Sequence, residues 1–174
     1  MPGFRVLLGF AAFLMLPGAA LPAKSGEACG ADPAGAQIRA LIDRWTQAVE
    51  ARELDGVMAL YAPGDTVVAY DLVPPLQYRG RDAYRENFRQ MFAQYQGRMH
   101  VEYRDLHILS SGDLAVIYGL ERLSGKSADR DTGGAWVRAT SVARRFHGEW
   151  PLVHDHVSVP VDLASGRPLL ALKP

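Results

Sequence analysis

The chain has 174 residues, the length of one ordinary domain. Hydrophobic residues make up 48% of it and charged residues 22%, as in a folded globular protein. Its 19 basic side chains balance 19 acidic ones, so the formal net charge is zero. This balance excludes the basic stripe that a nucleic-acid-binding surface needs and a polybasic membrane-binding patch.

The first 23 residues are typical of an export signal. Arg5 supplies a positive start, an uncharged apolar stretch runs from Val6 to Leu16, and small residues follow up to Ala23. The apolar stretch has the length of a signal-peptide core and is shorter than the about 20 residues that span a bilayer. We therefore predict a cleaved signal peptide over 1–23 and a secreted or periplasmic mature protein with no membrane attachment.

A linker and two helices are predicted next. Residues 24–36 are rich in Gly, Ala and Ser and are interpreted as a flexible linker. Apolar residues then recur at helical spacing over 38–49, and a second, shorter apolar face covers 54–61. Pro63 and the glycine after it end this second helix.

In the second half of the chain, the spacing of apolar residues changes from that of a helix to that of a strand. A third helix is predicted to begin with Asp82 as its N-cap and to end at Gly97. After it, apolar residues alternate with polar ones, and short glycine-containing turns join the segments. The predicted strands are 66–70 and 76–79 before the third helix, and 99–109, 114–124, 135–146 and 150–159 after it.

This order of elements indicates an α+β fold. Helices gathered early and strands gathered late favour a layer of helices packed on one face of an antiparallel sheet. The predicted domain covers 37–160, and 161–174 is predicted to be an irregular tail.

Several short motifs resemble one superfamily. They are Leu54-Asp55-Gly56, Ala59-Leu60-Tyr61-Ala62, Asp65-Thr66-Val67, Tyr78-Arg79-Gly80 and the ending Gly148-x-Trp150-x-x-x-His154-x-His156-x-Ser158. Over 37–160 the chain resembles SnoaL-like and ketosteroid isomerase-like domains of the nuclear transport factor 2-like superfamily, and its ending is also similar to the calmodulin-dependent kinase II association domain. The resemblance implies a cone-shaped α+β domain, with three N-terminal helices on the concave face of a curved antiparallel sheet. It also implies a homodimer that packs sheet against sheet.

The resemblance does not extend to the steroid isomerase reaction. Those enzymes hold an enolate with a tyrosine on the first helix and a protonated aspartic acid on a late strand, and use a second aspartate as base. The position of the tyrosine is Trp45 here, and 140–142 on the late strand has no carboxyl group. Asp71 corresponds to the aspartate base only if the alignment is shifted by about two residues. We therefore predict that this chain is not a steroid isomerase.

The candidate site is centred on His154 and His156, which alternate along the last predicted strand. Alternate residues of a strand share a face and lie about 6.6 Å apart along it. On the neighbouring predicted strand, Trp136, Arg138 and Thr140 share a face in the same way. We expect both of these faces to line one hollow beneath the helices. Asp71 and Tyr118 are expected to look in from other strands. The predicted proton-transfer residues are His154, His156 and Asp71, and the predicted ligand-binding residues are Arg138, Trp136, Thr140, Tyr118, Trp45 and Ser158.

Three interpretations of this pocket stay open. In a binding module, Arg138 would hold an anionic group of a small organic ligand and Trp136 would supply an apolar wall. In an enzyme of isomerase, cyclase or dehydratase type, a His–Asp pair would move protons. A metal site would need a third ligand that the His-x-His pattern does not supply. We favour the binding module, and we predict no metal and no cofactor.

Overall fold

The computed structural model describes residues 33–127 and 131–174. The predicted signal peptide, 1–23, and the first part of the predicted linker lie outside the described residues. The last four residues of the predicted linker, 33–36, are helical, because the first helix already begins at Pro33. A proline fits the first turn of a helix, where its missing N–H leaves no hydrogen bond unmade.

The described residues form three α-helices, α1 (Pro33–Ala51), α2 (Leu54–Met58) and α3 (Arg81–Ala93), with a 3-10 turn at Gly64–Thr66 between α2 and α3. Two details of α3 differ from the prediction. Gly80, at φ +83°, is the N-cap residue, and Asp82 lies in the first turn without a capping bond. The helix ends before Gly97, because Tyr95 already begins the next strand. None of the described helices is both long and apolar enough to cross a membrane.

Within 33–127 and 131–174, seven strands form one sheet in the order β2-β1-β7-β6-β4-β3, with β5 paired to β4. The strands are β1 (Val68–Tyr70), β2 (Tyr78–Arg79), β3 (Tyr95–Ser111), β4 (Leu114–Ser127), β5 (Asp131–Thr132), β6 (Trp136–Arg144) and β7 (Leu152–Ser158). The predicted α+β class is confirmed. All the pairings are antiparallel except that of β1 with β7, which is parallel and was not predicted.

The helices cover one face of this sheet and form the core with it. The apolar stripe of α1 is buried, and three aromatic side chains of α3, Tyr84, Phe88 and Phe92, are buried beside it. Trp150, just before β7, is buried, and its indole Nε1 donates to Oε1 of Gln37 on α1 at 2.8 Å. This bond links the first helix to the segment that leads into β7.

Strand pairing decides which side chains face the helices. On β4 and β6 the odd-numbered residues face the helices, and Ile117 and Val137 among them are buried, while Arg138 and Arg144 are exposed on the other face. An irregularity in the β6–β7 register lies next to Leu152, so that Leu152 and Asp155, three residues apart, are both buried. We call the helix-covered side the inner face and the opposite side the outer face.

The segment after β7 has no regular secondary structure beyond a bridge between Val161 and Pro168. Asp162 stabilises its turn, since its Oδ1 accepts hydrogen bonds from the backbone N–H groups of Ala164 and Ser165 at 2.8 and 3.2 Å. The segment is exposed, including Leu163 at 97%.

Candidate functional site

A cavity of about 630 Å³ lies between the inner face and the helices. Small-molecule sites in proteins have volumes of about 300–1,000 Å³. Strands β4, β6 and β7 form its floor, α1 and α3 form its roof, and residues 71–74 and 134–135 also contribute to the wall. Its apolar wall includes Leu41, Ile42, Phe88, Met91, Leu106, Ile117, Leu123, Val137, Ala139 and Val157.

The charged residues that line this cavity are all acidic, apart from His156 at its edge. Asp71, Glu121 and Asp155 contribute carboxyl groups, and no lysine or arginine is among the lining residues. The part of the chain that the structure describes therefore places no lysine or arginine in the cavity wall to neutralise these carboxyl groups.

Asp155 is the most buried of the three, with 8% of its surface exposed. It lies beside Ser141 on the neighbouring strand and accepts a hydrogen bond from the Tyr61 hydroxyl at Oδ2. Tyr61 in turn accepts a bond from Nε1 of Trp45 at 3.1 Å. Burial raises the pKa of Asp155 to about 6, although hydroxyl groups, including that of Ser141, lower it. Oδ1 of Asp155 accepts no hydrogen bond of regular geometry from the described residues.

Glu121 lies farther along β4, directly opposite Tyr103 of β3. It is half-buried and lines the cavity, and it takes part in no hydrogen bond or ion pair with any described residue that the structure records. Burial raises its pKa to about 8, and the negative charges of Asp155 and Asp71 add to the increase. Near neutral pH this carboxyl group is therefore mostly protonated and able either to donate a hydrogen bond or to release a proton.

Aromatic rings form the wall next to Asp155. The ring centroids of Tyr61 and Tyr84 are 5.4 Å apart, those of Tyr84 and Phe88 are 5.0 Å apart, and those of Trp45 and Phe88 are 6.3 Å apart. Burial raises the pKa of both tyrosines well above the usual 10.0, and the negative charge of Asp155 adds to the increase. Their hydroxyl groups therefore stay protonated and act as donors.

Asp71 lies just after β1, at the cavity wall. Its Oδ1 accepts a hydrogen bond from the backbone N–H of Leu72 at 2.6 Å, and its Oδ2 accepts one from Nδ2 of Asn87 on α3 at 2.8 Å. Leu72 and Val73, the next two residues, are half exposed, at 47% and 49%. An exposed apolar segment thus adjoins this part of the cavity.

Of the nine residues predicted to form the site, the structure places Trp45 and Asp71 in the cavity wall. Tyr118 and His156 border the cavity, but both are exposed, and strand alternation directs their side chains to the outer face. The remaining predicted residues also belong to the outer face: His154, Arg138, Trp136, Thr140 and Ser158. The expected common face of Arg138 and His156 exists, but its predicted position inside the hollow is wrong.

The outer-face residues make their own contacts. Nδ1 of His154 is 2.7 Å from the carbonyl oxygen of Val68, and the Tyr70 ring lies 5.0 Å from the His154 ring and 5.7 Å from the His156 ring. The Arg122 guanidinium lies over the Trp136 ring at 5.1 Å. Among the described residues, no hydrogen bond that the structure records joins Asp71 to either histidine. The geometry therefore provides no His–Asp pair.

Metal ligands are not clustered in the described part of the chain. No group of three or more His, Cys, Asp and Glu side chains there is arranged to hold a metal ion.

Sequence reasoning missed the carboxyl groups of Glu121 and Asp155 and the Tyr61 hydroxyl that donates to Asp155. One pattern could have identified the inner face: Arg138 and Arg144 lie on the same side of β6, and the residues between them on the other side are Ala139, Ser141 and Ala143. Arginines rarely face a core, while small residues leave room for a cavity. On β7 alternation puts Asp155 on the face opposite His154 and His156, but it does not show that this opposite face is the one the helices cover.

Comparison with known proteins agrees with this architecture. The model of a SnoaL-like domain matches residues 38–162, most of the described chain. The chain belongs to the SnoaL-like family. None of the curated proteins compared with this SnoaL-like chain matches it.

Solved structures similar to this SnoaL-like domain include an NTF2-like protein of unknown function from Pseudomonas putida KT2440. It is 35% identical with a TM-score of 0.72, and the match covers 81% of this chain and 96% of that one. A putative calcium/calmodulin-dependent protein kinase type II association domain from Thiobacillus denitrificans is 28% identical with a TM-score of 0.58, covering 71% and 94%. A putative dehydratase of the NTF2-like family from Streptomyces avermitilis, at 21% identity and TM-score 0.65, covers 75% and 99% and shares the fold.

Proposed function

We propose that this SnoaL-like domain binds a small, largely apolar organic molecule in the cavity beneath its helices. The observation that carries the proposal is a hollow of about 630 Å³ with a mainly aliphatic and aromatic wall and a few polar groups. Apolar surface supplies affinity in such sites, and the few polar groups orient the ligand.

The charge of the wall argues against the anionic ligand expected from the sequence. That expectation depended on Arg138 reaching into the hollow, whereas Arg138 lies on the outer face and the lining residues are acidic. An anion would enter an apolar space beside carboxyl groups without a cation to neutralise it. The proposed ligand is therefore not an anion.

Binding of N-phenyl-1-naphthylamine, a neutral apolar fluorescent probe, tests this proposal. We expect the wild-type protein to enhance its fluorescence and Ala139→Trp to weaken binding at least about tenfold, since the indole would fill the cavity floor. Arg138→Ala, one residue away on the outer face, should bind the probe as the wild type does.

Thermal unfolding of each variant separates a blocked cavity from a misfolded protein, and Ala135→Trp, in another part of the wall, provides a second blocking variant. Unchanged binding in both folded tryptophan variants, or loss of binding in Arg138→Ala, would contradict the cavity assignment.

Proton transfer by Glu121 is a second candidate function. This carboxyl group has a pKa of about 8, lies in a mainly apolar cavity and has no recorded hydrogen-bond partner among the described residues, so it can take up and release a proton near neutral pH. The ionised carboxylate would remove a proton from a carbon next to a carbonyl group, and the resulting acid would return a proton to the enolate. The dehydratase description of the Streptomyces neighbour is compatible with acid–base chemistry on this fold.

Deuterium exchange at the acidic carbon of 2-tetralone, followed by NMR in D₂O, tests this second candidate. We expect exchange above the buffer background, rising with pH and levelling off above about pH 8, and about a hundredfold loss in Glu121→Gln. Glu149→Gln, at an exposed turn, should keep the wild-type rate. Exchange equal to background in the wild-type protein would leave binding without proton transfer.

Export and dimer formation belong to the same proposal. The apolar stretch within 1–23 supports export, and the exposed aromatic side chains of Tyr70 and Tyr118 on the outer face support sheet-to-sheet packing of two copies. Native mass spectrometry of the protein recovered from its source measures both, because a cleaved dimer has twice the mass of a chain that starts after residue 20 or 23. A full-length monomer would contradict both.

A further inference from the structure

The cavity combines carboxyl groups with aromatic rings, and the described residues supply no basic partner for either. Three carboxyl groups line it, from Asp71, Glu121 and Asp155, and no lysine or arginine is among the described lining residues. Buried carboxyl groups in folded proteins are normally paired with a cation or hydrogen-bonded. A group other than the described side chains can therefore complete this site.

Glu121 has unused acceptor capacity, and one oxygen of Asp155 lacks a hydrogen bond of regular geometry. Glu121 has no hydrogen bond or ion pair with any described residue that the structure records, although it is half-buried in the wall. Asp155 is nine-tenths buried, and its Oδ1 accepts no regular hydrogen bond from the described residues. The hydroxyl groups of Tyr61 and Ser141 already support Asp155, so Glu121 is the carboxyl group of this wall that is free to bind a ligand.

The aromatic rings point to the same kind of ligand. Trp45, Tyr84 and Tyr103 line the cavity, and Tyr103 lies directly opposite Glu121 in the β3–β4 pairing. The faces of aromatic rings carry partial negative charge and attract organic cations within about 6 Å. Carboxyl groups and rings together favour an ammonium group over a neutral or negative one.

We infer that the ligand of this cavity carries a positively charged amino group, which pairs with Glu121. The inference depends on the proposed binding function and specifies the class of its ligand as an amine with an apolar body. The amino group would donate hydrogen bonds to the Glu121 carboxylate, and the apolar body would contact the aliphatic wall.

Binding of such an amine is coupled to release of a proton. Free Glu121 is mostly protonated at neutral pH, since its pKa is about 8, and pairing with a cation favours the ionised form. The titratable groups facing it are Tyr103 on β3, Asp155 on β7, Asp71 after β1 and Tyr84 on α3. Both tyrosines stay neutral, so the amine is the one positive charge among these groups, and its affinity should rise with pH up to about 8.

Three probes of one shape separate the charge classes: 2-(1-naphthyl)ethylamine, 2-(1-naphthyl)ethanol and 1-naphthylacetate. By calorimetry at pH 8.5 we expect the amine to bind about tenfold more tightly than the alcohol, and the carboxylate most weakly. Between pH 6 and 7.5 the affinity for the amine should increase nearly tenfold per pH unit. In the same pH range, binding heats measured in buffers of different ionisation enthalpy should show that about one proton is released for each amine bound.

Glu121→Gln should abolish the preference for the amine and the proton release while keeping the affinity for the alcohol, and Glu149→Gln should change neither. Equal binding of amine and alcohol, or a preference that survives Glu121→Gln, overturns the inference but keeps the cavity as a ligand site. Failure of all three probes to bind at millimolar concentration overturns the inference and the proposed function together.

Discussion

Glu121→Gln is expected to stabilise the folded protein by on the order of 3 kcal/mol above pH 8 and to leave its stability nearly unchanged at pH 4. Burial and neighbouring carboxylates raise the pKa of Glu121 from 4.5 to about 8. Below pH 4.5 the group is protonated in both states and contributes no difference. Between 4.5 and 8 the unfolded chain loses the proton while the folded chain keeps it, so stability falls as the pH rises.

Urea unfolding at pH 4, 6 and 9 measures this effect, since the free energy of unfolding extrapolates linearly to water. The gain of Glu121→Gln should grow between pH 5 and 8 and then stay constant. Glu149→Gln, which is exposed, should shift the free energy by less than about 0.5 kcal/mol at every pH. A glutamine variant that is less stable than the wild type at pH 9 would show that Glu121 has a stabilising partner when it is ionised.

Tyr61→Phe is expected to reduce the free energy of unfolding by about 2 kcal/mol at pH 8. The Tyr61 hydroxyl is fully buried, donates to Asp155 and accepts from Trp45, so the phenylalanine leaves both groups without that partner. The pKa of Asp155 is about 6, and the bond from Tyr61 lowers it. Without that bond the pKa should rise further, so the loss of stability should be larger above pH 6, where the wild-type group is ionised, than at pH 5.

Tyr118→Phe is the matched control, because the Tyr118 side chain is exposed on the outer face, where its ring stacks on His107 at 5.1 Å. This control should change stability by less than about 0.5 kcal/mol at either pH. A double variant, Tyr61→Phe with Asp155→Asn, should remove the pH dependence of the loss. Equal losses for Tyr61→Phe at pH 5 and pH 8 would mean that the hydroxyl does not support the charge of Asp155.

Local patterns were sufficient for most of the secondary structure. The helical stripe from Ile38 to Val49 predicted α1, and alternation after residue 98 predicted the long strands, because burial imposes a period of 3.6 on helices and of 2 on strands. The family was also identifiable from short motifs, and the family comparison confirms it. The N-cap of α3 was missed, since Gly80 forms it through a left-handed backbone conformation that no capping rule requires.

The site was much less predictable than the fold. Alternation shows which residues share a face, so Arg138, Thr140 and His156 were correctly grouped together. Alternation does not show which face the helices cover. A shift of one residue in the pairing register of a strand moves every side chain of that strand to the other side of the sheet. The parallel pairing of β1 with β7 also placed His154 beside Val68, where the histidine contacts a backbone carbonyl.

The sequence by itself determined the α+β class, the order of the helices and strands and the membership of the SnoaL-like family, because these depend on periodicity and short motifs along the chain. Only the tertiary structure decided that Glu121, Asp155 and Tyr61, from separate elements, line or support one cavity while Arg138 and His154 lie on the outer face. The physical reason is that a pKa and a ligand site depend on distances and burial between residues far apart in sequence, and these are set only when the helices cover one face of the sheet.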